Sequence, residues 1–291
     1  MKRTIFTGVI LLAGVAGLWA QQKGGKAPST QQPLQSGQAA AAPKGPMPKS
    51  KGEQEAVVAM IKAQGNPDEV IKAAEALINT YADTDFKDTA LFMEAASYQQ
   101  KGDREKSQIY AERTVAANPK HYQALLMLSE ATVQGTREHD LDRDDKLNRA
   151  DKYANDAIAA LNEAQKPNPQ ITDQQWEDIK KDLVAEAHDA LGMTALQRKN
   201  YDVAIKEFKA SVDGMALPQP AFEVRLASAY QAAGKYDEAI AVAEKVMNEP
   251  QTPQQIKSVA QAVRAGSVVA KNGGKAPATQ AAPPQVEIKK Q

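Results

Sequence analysis

From Lys51 onward, apolar residues recur every three or four positions, in short runs broken by polar turns. That spacing lines one face of a helix with 3.6 residues per turn. Val70, Ile71, Ala74, Leu77 and Ile78 form one such stripe, and Ile256, Val259, Ala260 and Val263 form another. Helix starts are marked as well. In Ser50-Lys51-Gly52-Glu53 and Thr172-Asp173-Gln174-Gln175 a hydroxyl precedes a carboxyl or amide by three positions, the capping box that satisfies free N–H groups at a helix N-terminus. Thr252-Pro253-Gln254-Gln255 reads as a third, with proline at the first helical position, where its missing N–H costs nothing. The helix after Thr172 extends its stripe backwards through Trp176, Ile179, Leu183 and Ala187, so it is longer than its neighbours. The pattern predicts an all-α chain.

The two ends break this pattern. Lys2 and Arg3 precede an apolar run from Ile5 to Trp19, which stops at Ala20 before Gln21-Gln22-Lys23. A basic start, a short apolar middle and a small residue at the break make a secretory signal peptide, here residues 1–20. The run is shorter than the roughly 20 residues that span a bilayer, so no integral span is expected after cleavage. Residues 21–50 are a Pro/Ala/Gln-rich linker and residues 272–291 a similar tail. Neither has enough large apolar side chains to offset the entropy of ordering, and both are expected to be disordered. The expected location is periplasmic or secreted.

Between the ends the chain repeats itself. Gln99-Gln100-Lys101-Gly102-Asp103 returns as Gln197-Arg198-Lys199-Asn200-Tyr201 and as Gln231-Ala232-Ala233-Gly234-Lys235-Tyr236, each between two amphipathic runs. Leu191-Gly192, Tyr201, Ala204 and Phe208 fall at fixed spacing in 185–218, and Tyr230, Gly234, Tyr236 and Ala239 in 220–253. In these residues the chain resembles the tetratricopeptide repeat, a helix–turn–helix unit of 34 residues with small residues where its helices cross, in an exported bacterial form. The resemblance extends to 88–121, to a degenerate unit at 51–84, and to 122–165, where an insertion separates the helices. It implies an α-solenoid over 51–271 that closes with a capping helix at 253–271, as the open end of such a stack requires.

Composition narrows the chemistry. Lys+Arg and Asp+Glu both number 36, and no basic stripe is present, which argues against nucleic acid as a partner. With Cys 0, disulfides, thiolate metal sites and a lipid-modified cysteine are excluded. His121, His139 and His188 lie in different repeats without metal-ligand spacing. No phosphate loop, nucleophile elbow or dinucleotide fingerprint occurs, so neither catalysis nor a cofactor is expected. Asp140, Asp142, Asp144, Asn148 and Asp151 have calcium-loop spacing, yet Asp145 stands where the turn wants Gly and Asp151 where a bidentate Glu belongs. A solvated insertion with helix-capping aspartates explains the same residues. Lys44, Lys49 and Lys51 make the linker mildly basic without giving it an apolar membrane-binding face.

The resemblance implies an interaction scaffold or adaptor that holds a protein or peptide on the concave face of its first helices. It places Phe92, Gln99, Leu126, Glu130, Asp189, Met193, Leu196, Val224 and Gln231 on that face. The family's carboxylate clamp of Lys and Asn has no match there. Apolar anchors assisted by side-chain amides are therefore expected, with little dependence on salt. The alternative is a structural envelope protein that self-associates through its end helices.

Overall fold

The computed structural model describes residues 45–168, 170–217 and 219–273. The stretch expected to be a signal peptide, most of the expected linker and the tail beyond Gly273 lie outside the described residues. Every regular element among them is an α-helix. The chain divides into two compact units, Met1–Leu183 and Val184–Gln291. The first contains α1 (Lys51–Lys62), α2 (Pro67–Thr80), α3 (Lys87–Gln100), α4 (Arg104–Ala117), α5 (Tyr122–Gly135) and α6 (Arg143–Glu163). The long α7 (Asp173–Gln197) carries the boundary, and the second unit continues with α8 (Tyr201–Gly214), α9 (Pro220–Ala232), α10 (Tyr236–Asn248) and α11 (Gln254–Lys271). From α1 to α6, and again from α8 to α11, each helix packs on its successor, and α9 also meets α11. This is the stacked helix-pair arrangement of an all-α solenoid fold.

Small residues allow the close crossings and large ones fill the space between them. In the first unit Val57, Met60, Val70, Ala74, Leu77, Phe86, Ala90 and Met93 form a core across α1, α2 and α3. In the second, Ala195, Ala204, Ile205, Phe208, Leu226 and Ala229 form one core, and Val224, Ala227, Ala239, Ala243, Val246, Ala260 and Val263 the next. Burying a side chain such as Phe208 contributes about 1.5–3 kcal/mol. The last of these cores is closed by α11, which gives its apolar stripe a structural task.

One capping box forms as the sequence implies, at Thr172, and the Ser50 box forms with its return bond shifted to the residue before the cap. Ser50 Oγ accepts from Glu53 N–H at 3.1 Å, and Glu53 Oε2 accepts from Lys49 N–H at 2.6 Å. Glu53 is buried, and its Oε1 accepts the Thr84 hydroxyl at 2.6 Å, which ties the start of α1 to the turn before α3. Lys49, counted with the linker, reaches Asp83 and Asp85 through its ammonium. At α7, Thr172 and Gln175 exchange backbone-to-side-chain bonds of 2.9 and 3.2 Å. The third box does not form. Pro253 is itself the N-cap of α11, its carbonyl accepting from Lys257 N–H at 3.1 Å, and the buried Thr252 hydroxyl has no partner. The proline removes the N–H that begins such a box, so the chain enters α11 through a carbonyl.

The repeated turns correct the alignment read from sequence. Asp103 N–H bonds Tyr98 O at 3.0 Å, Asn200 N–H bonds Ala195 O at 2.9 Å, and Lys235 N–H bonds Tyr230 O at 2.9 Å. The residue before each of these donors is left-handed: Gly102 (φ 76°), Lys199 (φ 62°) and Gly234 (φ 74°). Lys199, not Asn200, therefore occupies the glycine position. A side chain costs about 1 kcal/mol in that conformation. Lys199→Gly is expected to raise the stability of the second unit by about that amount, seen as a higher urea midpoint. Lys199→Ala, which keeps a Cβ, should bring no gain.

Candidate functional site

The first-helix positions that the repeat register directs to the concave face divide into two groups. In the first unit Phe92 and Leu126 are only 6% and 8% exposed. The Phe92 ring lies 4.7 Å from the His121 imidazole, tilted by 40°. His121 in turn caps α5, its Nδ1 accepting from Ala124 N–H at 3.3 Å. Burial pushes this imidazole below the usual histidine value, while the Asp88 carboxylate pulls the other way. A neutral Nδ1 lone pair is what the cap needs. Phe92 and Leu126 thus belong to the packed interior, which corrects the expectation that they stand out as anchors. Gln99, Gln100, Glu130 and Gln134 remain exposed, and Gln134 donates to Glu130 Oε1 at 2.8 Å.

The second unit corrects the reading further. Val224 is buried in the core shared by α9, α10 and α11. Asp189 on α7 is buried and ion-paired with Arg225 on α9, whose guanidinium also lies 5.4 Å from the centre of the Phe222 ring. Gln231 donates from Nε2 to Val263 O at 3.0 Å and so fastens α9 to α11. Gly266 makes room for this contact, since a Cβ there would stand 2.6 Å from Gln231 Nε2. Met193 and Leu196 are half-buried against the Phe208 core. Of the residues placed on this face, Gln99 and Glu130 are the exposed ones, both polar and both in the first unit.

The acidic insertion does not have the geometry of a calcium loop. Helix α6 already begins at Arg143, so Asp144, Asn148 and Asp151 ride on a helix and do not wrap around a common point with Asp140 and Asp142. The Lys146 ammonium lies 2.8 Å from Asp140 and 2.8 Å from Asp142, where a cation would be expected. Its hydrogen bond holds the Asp140 carboxyl below the usual carboxylate range. Among the described residues no group of three His, Cys, Asp or Glu side chains is placed to hold a metal. His188 Nδ1 lies 2.7 Å from Glu207 Oε2, joining α7 to α8. No described helix is long and apolar enough to cross a membrane.

Fold and surface together define a helical-repeat protein whose exposed polar positions in this register lie on the first helices of the first unit. Residues 223–252, covering most of α9, all of α10 and the turn beyond, match the family model for a tetratricopeptide repeat. The matched stretch is thus one tetratricopeptide repeat, and helix–turn–helix units of the same kind recur along the described chain. No curated protein matches the chain. Among solved structures, a thermophilic tetratricopeptide-repeat protein of Thermus thermophilus is similar at 19% identity, with a TM-score of 0.45, covering 72% of this chain and 98% of its own. An assembly chaperone of RpL4 is similar at 13% identity and a TM-score of 0.45, covering 76% of this chain and 99% of its own. Repeats of this family generally mediate protein–protein interaction and act as non-enzymatic scaffolds.

Proposed function

We propose that the chain is an exported adaptor that binds an extended peptide or protein segment through the amide-rich first-helix face of its first unit. One observation carries this reading. The apolar residues in that register are taken into the core, whereas Gln99, Gln100, Glu130 and Gln134 remain at the surface. A side-chain amide offers both donors and an acceptor to the backbone of an extended ligand. Such contacts are neutral, so binding should change little with salt. Export rests on the signal-like residues 1–20 and predicts a mature N-terminus near Gln21, which mass measurement of the envelope-derived protein would read directly.

Binding is tested by placing a photoreactive residue at Gln99 or Gln134 in intact cells and comparing it with one at the exposed Arg149 of α6. The first two positions should give a discrete protein adduct and the third should not. With the probe at Gln134, Gln99→Ala combined with Gln100→Ala should lower adduct yield about thirtyfold, at about 1 kcal/mol for each of the two lost hydrogen bonds. Equal adducts from all three positions would remove the case for this face. An adduct formed only with a second copy of the chain would turn the reading towards self-association.

A further inference from the structure

At one register position in the first helix of every other repeat the chain carries an aliphatic residue: Val57, Leu128, Leu191 and Leu226. In α3 the same position holds Glu94. It is 1% exposed, as deeply buried as Val57 and Leu128, and neither of its carboxyl oxygens has a hydrogen-bond partner. Glu53 shows the contrast. It is equally buried, yet it accepts the Thr84 hydroxyl and the Lys49 N–H. An ionised carboxylate left without donors in an apolar site is strongly disfavoured, whereas the neutral acid is tolerated.

The groups facing Glu94 come from both neighbouring helices. Glu75 approaches from α2, and Tyr110 and Arg113 from α4. The Tyr110 ring stacks on Tyr98 of α3 at 5.2 Å, and the Arg113 guanidinium lies 5.0 Å from the centre of the Tyr110 ring. Burial, and then the negative charge of Glu75, push the Glu94 carboxyl up to about 8, against the opposing pull of Arg113. Arg113 is exposed, and no salt bridge joins it to Glu94 among the described residues.

We propose that Glu94 is a buried proton switch: as a carboxylic acid it packs α3 against α2 and α4, and losing its proton in alkaline medium loosens that contact in the first unit. The direction follows from linkage. The folded state holds the proton more tightly than the unfolded chain, where the group has its ordinary value near 4.5. The stabilisation is therefore complete below about pH 4.5, declines as pH rises, and is gone above about pH 8.

Amide hydrogen exchange on the full chain tests this, with α10 of the second unit as internal reference. Between pH 6 and pH 9 the protection factors of α3 should fall, relative to α10, on the order of a hundredfold. Glu94→Gln, which mimics the neutral acid, should flatten that profile. Glu94→Leu, the side chain of the equivalent repeats, should flatten it as well and raise α3 protection at pH 9. Arg113→Gln, at an exposed site, should deepen the fall by removing the charge that favours ionisation. A wild-type profile parallel to α10 would overturn the proposal, as would the same decline persisting in both Glu94 variants.

Discussion

Gly192→Leu is expected to lower the melting temperature of the second unit by more than 10 °C, and even Gly192→Ala should lower it measurably. A Cβ at this position would stand 2.6, 2.7 and 2.9 Å from Cδ1, Cε1 and Cγ of Phe208. Real side chains do not approach an aromatic ring that closely, so something must move. Phe208 cannot retreat easily, because it is fully buried among Ala195, Ala204, Ile205, Leu226 and Ala229. Two effects compete in the alanine variant. Replacing glycine inside a helix gains about 1 kcal/mol of helix propensity, while overpacking a rigid contact costs about 1–3 kcal/mol. The ring contact decides the sign, and the net change should be a loss. Leucine adds volume that this site cannot accept and should cost about 3 kcal/mol or more. Gly135, at the end of α5, has nothing within 4 Å of a built Cβ. Gly135→Ala should therefore be neutral or slightly stabilising. If both glycine-to-alanine changes behaved alike, the crossing of α7 and α8 at Gly192 would not be the tight contact described here. Phe208→Leu added to Gly192→Ala should restore part of the loss by making room.

The helices were legible in the sequence because each signal for them is local. Stripe spacing, the Ser50 and Thr172 boxes and the turn glycines all act within a few residues, and they lead to α1, α2, α7 and the turns at Gly102 and Gly234. What failed depended on neighbours. The Gln197–Tyr201 turn matches its counterparts one residue late by residue type, because its glycine position is filled by Lys199, and the backbone angle reveals this. Phe92 and Val224 occupy positions that face outward in an idealised repeat, but here His121 packs on the Phe92 ring and Val224 sits in the core closed by α11. Gln231 looks like a free amide along its own helix, and its partner, the Val263 carbonyl, is 32 positions away. Glu94 was visible in principle. Aligning the seventh residue of each repeat sets one glutamate against one valine and three leucines, a mismatch that helical periodicity alone passes over, since glutamate is a good helix former.

Arg225→Leu should destabilise the second unit by about 2–3 kcal/mol, because of the way it holds Asp189. The family register sends Asp189 towards a ligand, whereas in this chain its carboxylate is buried and paired with the Arg225 guanidinium. Removing one member of a buried pair leaves the other charge without its counterpart and typically costs about 3–5 kcal/mol. The Arg225 side chain retains 31% exposure, so water can partly replace it, and the lower figure follows. Asp189→Leu leaves the arginine with a route to solvent and should cost less than Arg225→Leu. The double variant should recover part of the sum, because two apolar side chains of similar size can replace a buried pair at little net cost. Urea unfolding of the four proteins gives the coupling directly, and repeating it at high salt separates a buried pair, which salt barely screens, from a surface one. Additive losses would mean that the two side chains do not depend on each other. The same variants can be carried into the photo-crosslinking experiment. If Asp189 is structural, Asp189→Leu should lower the urea midpoint and leave the adduct from Gln99 intact, whereas a lost adduct with an unchanged midpoint would return Asp189 to the binding face.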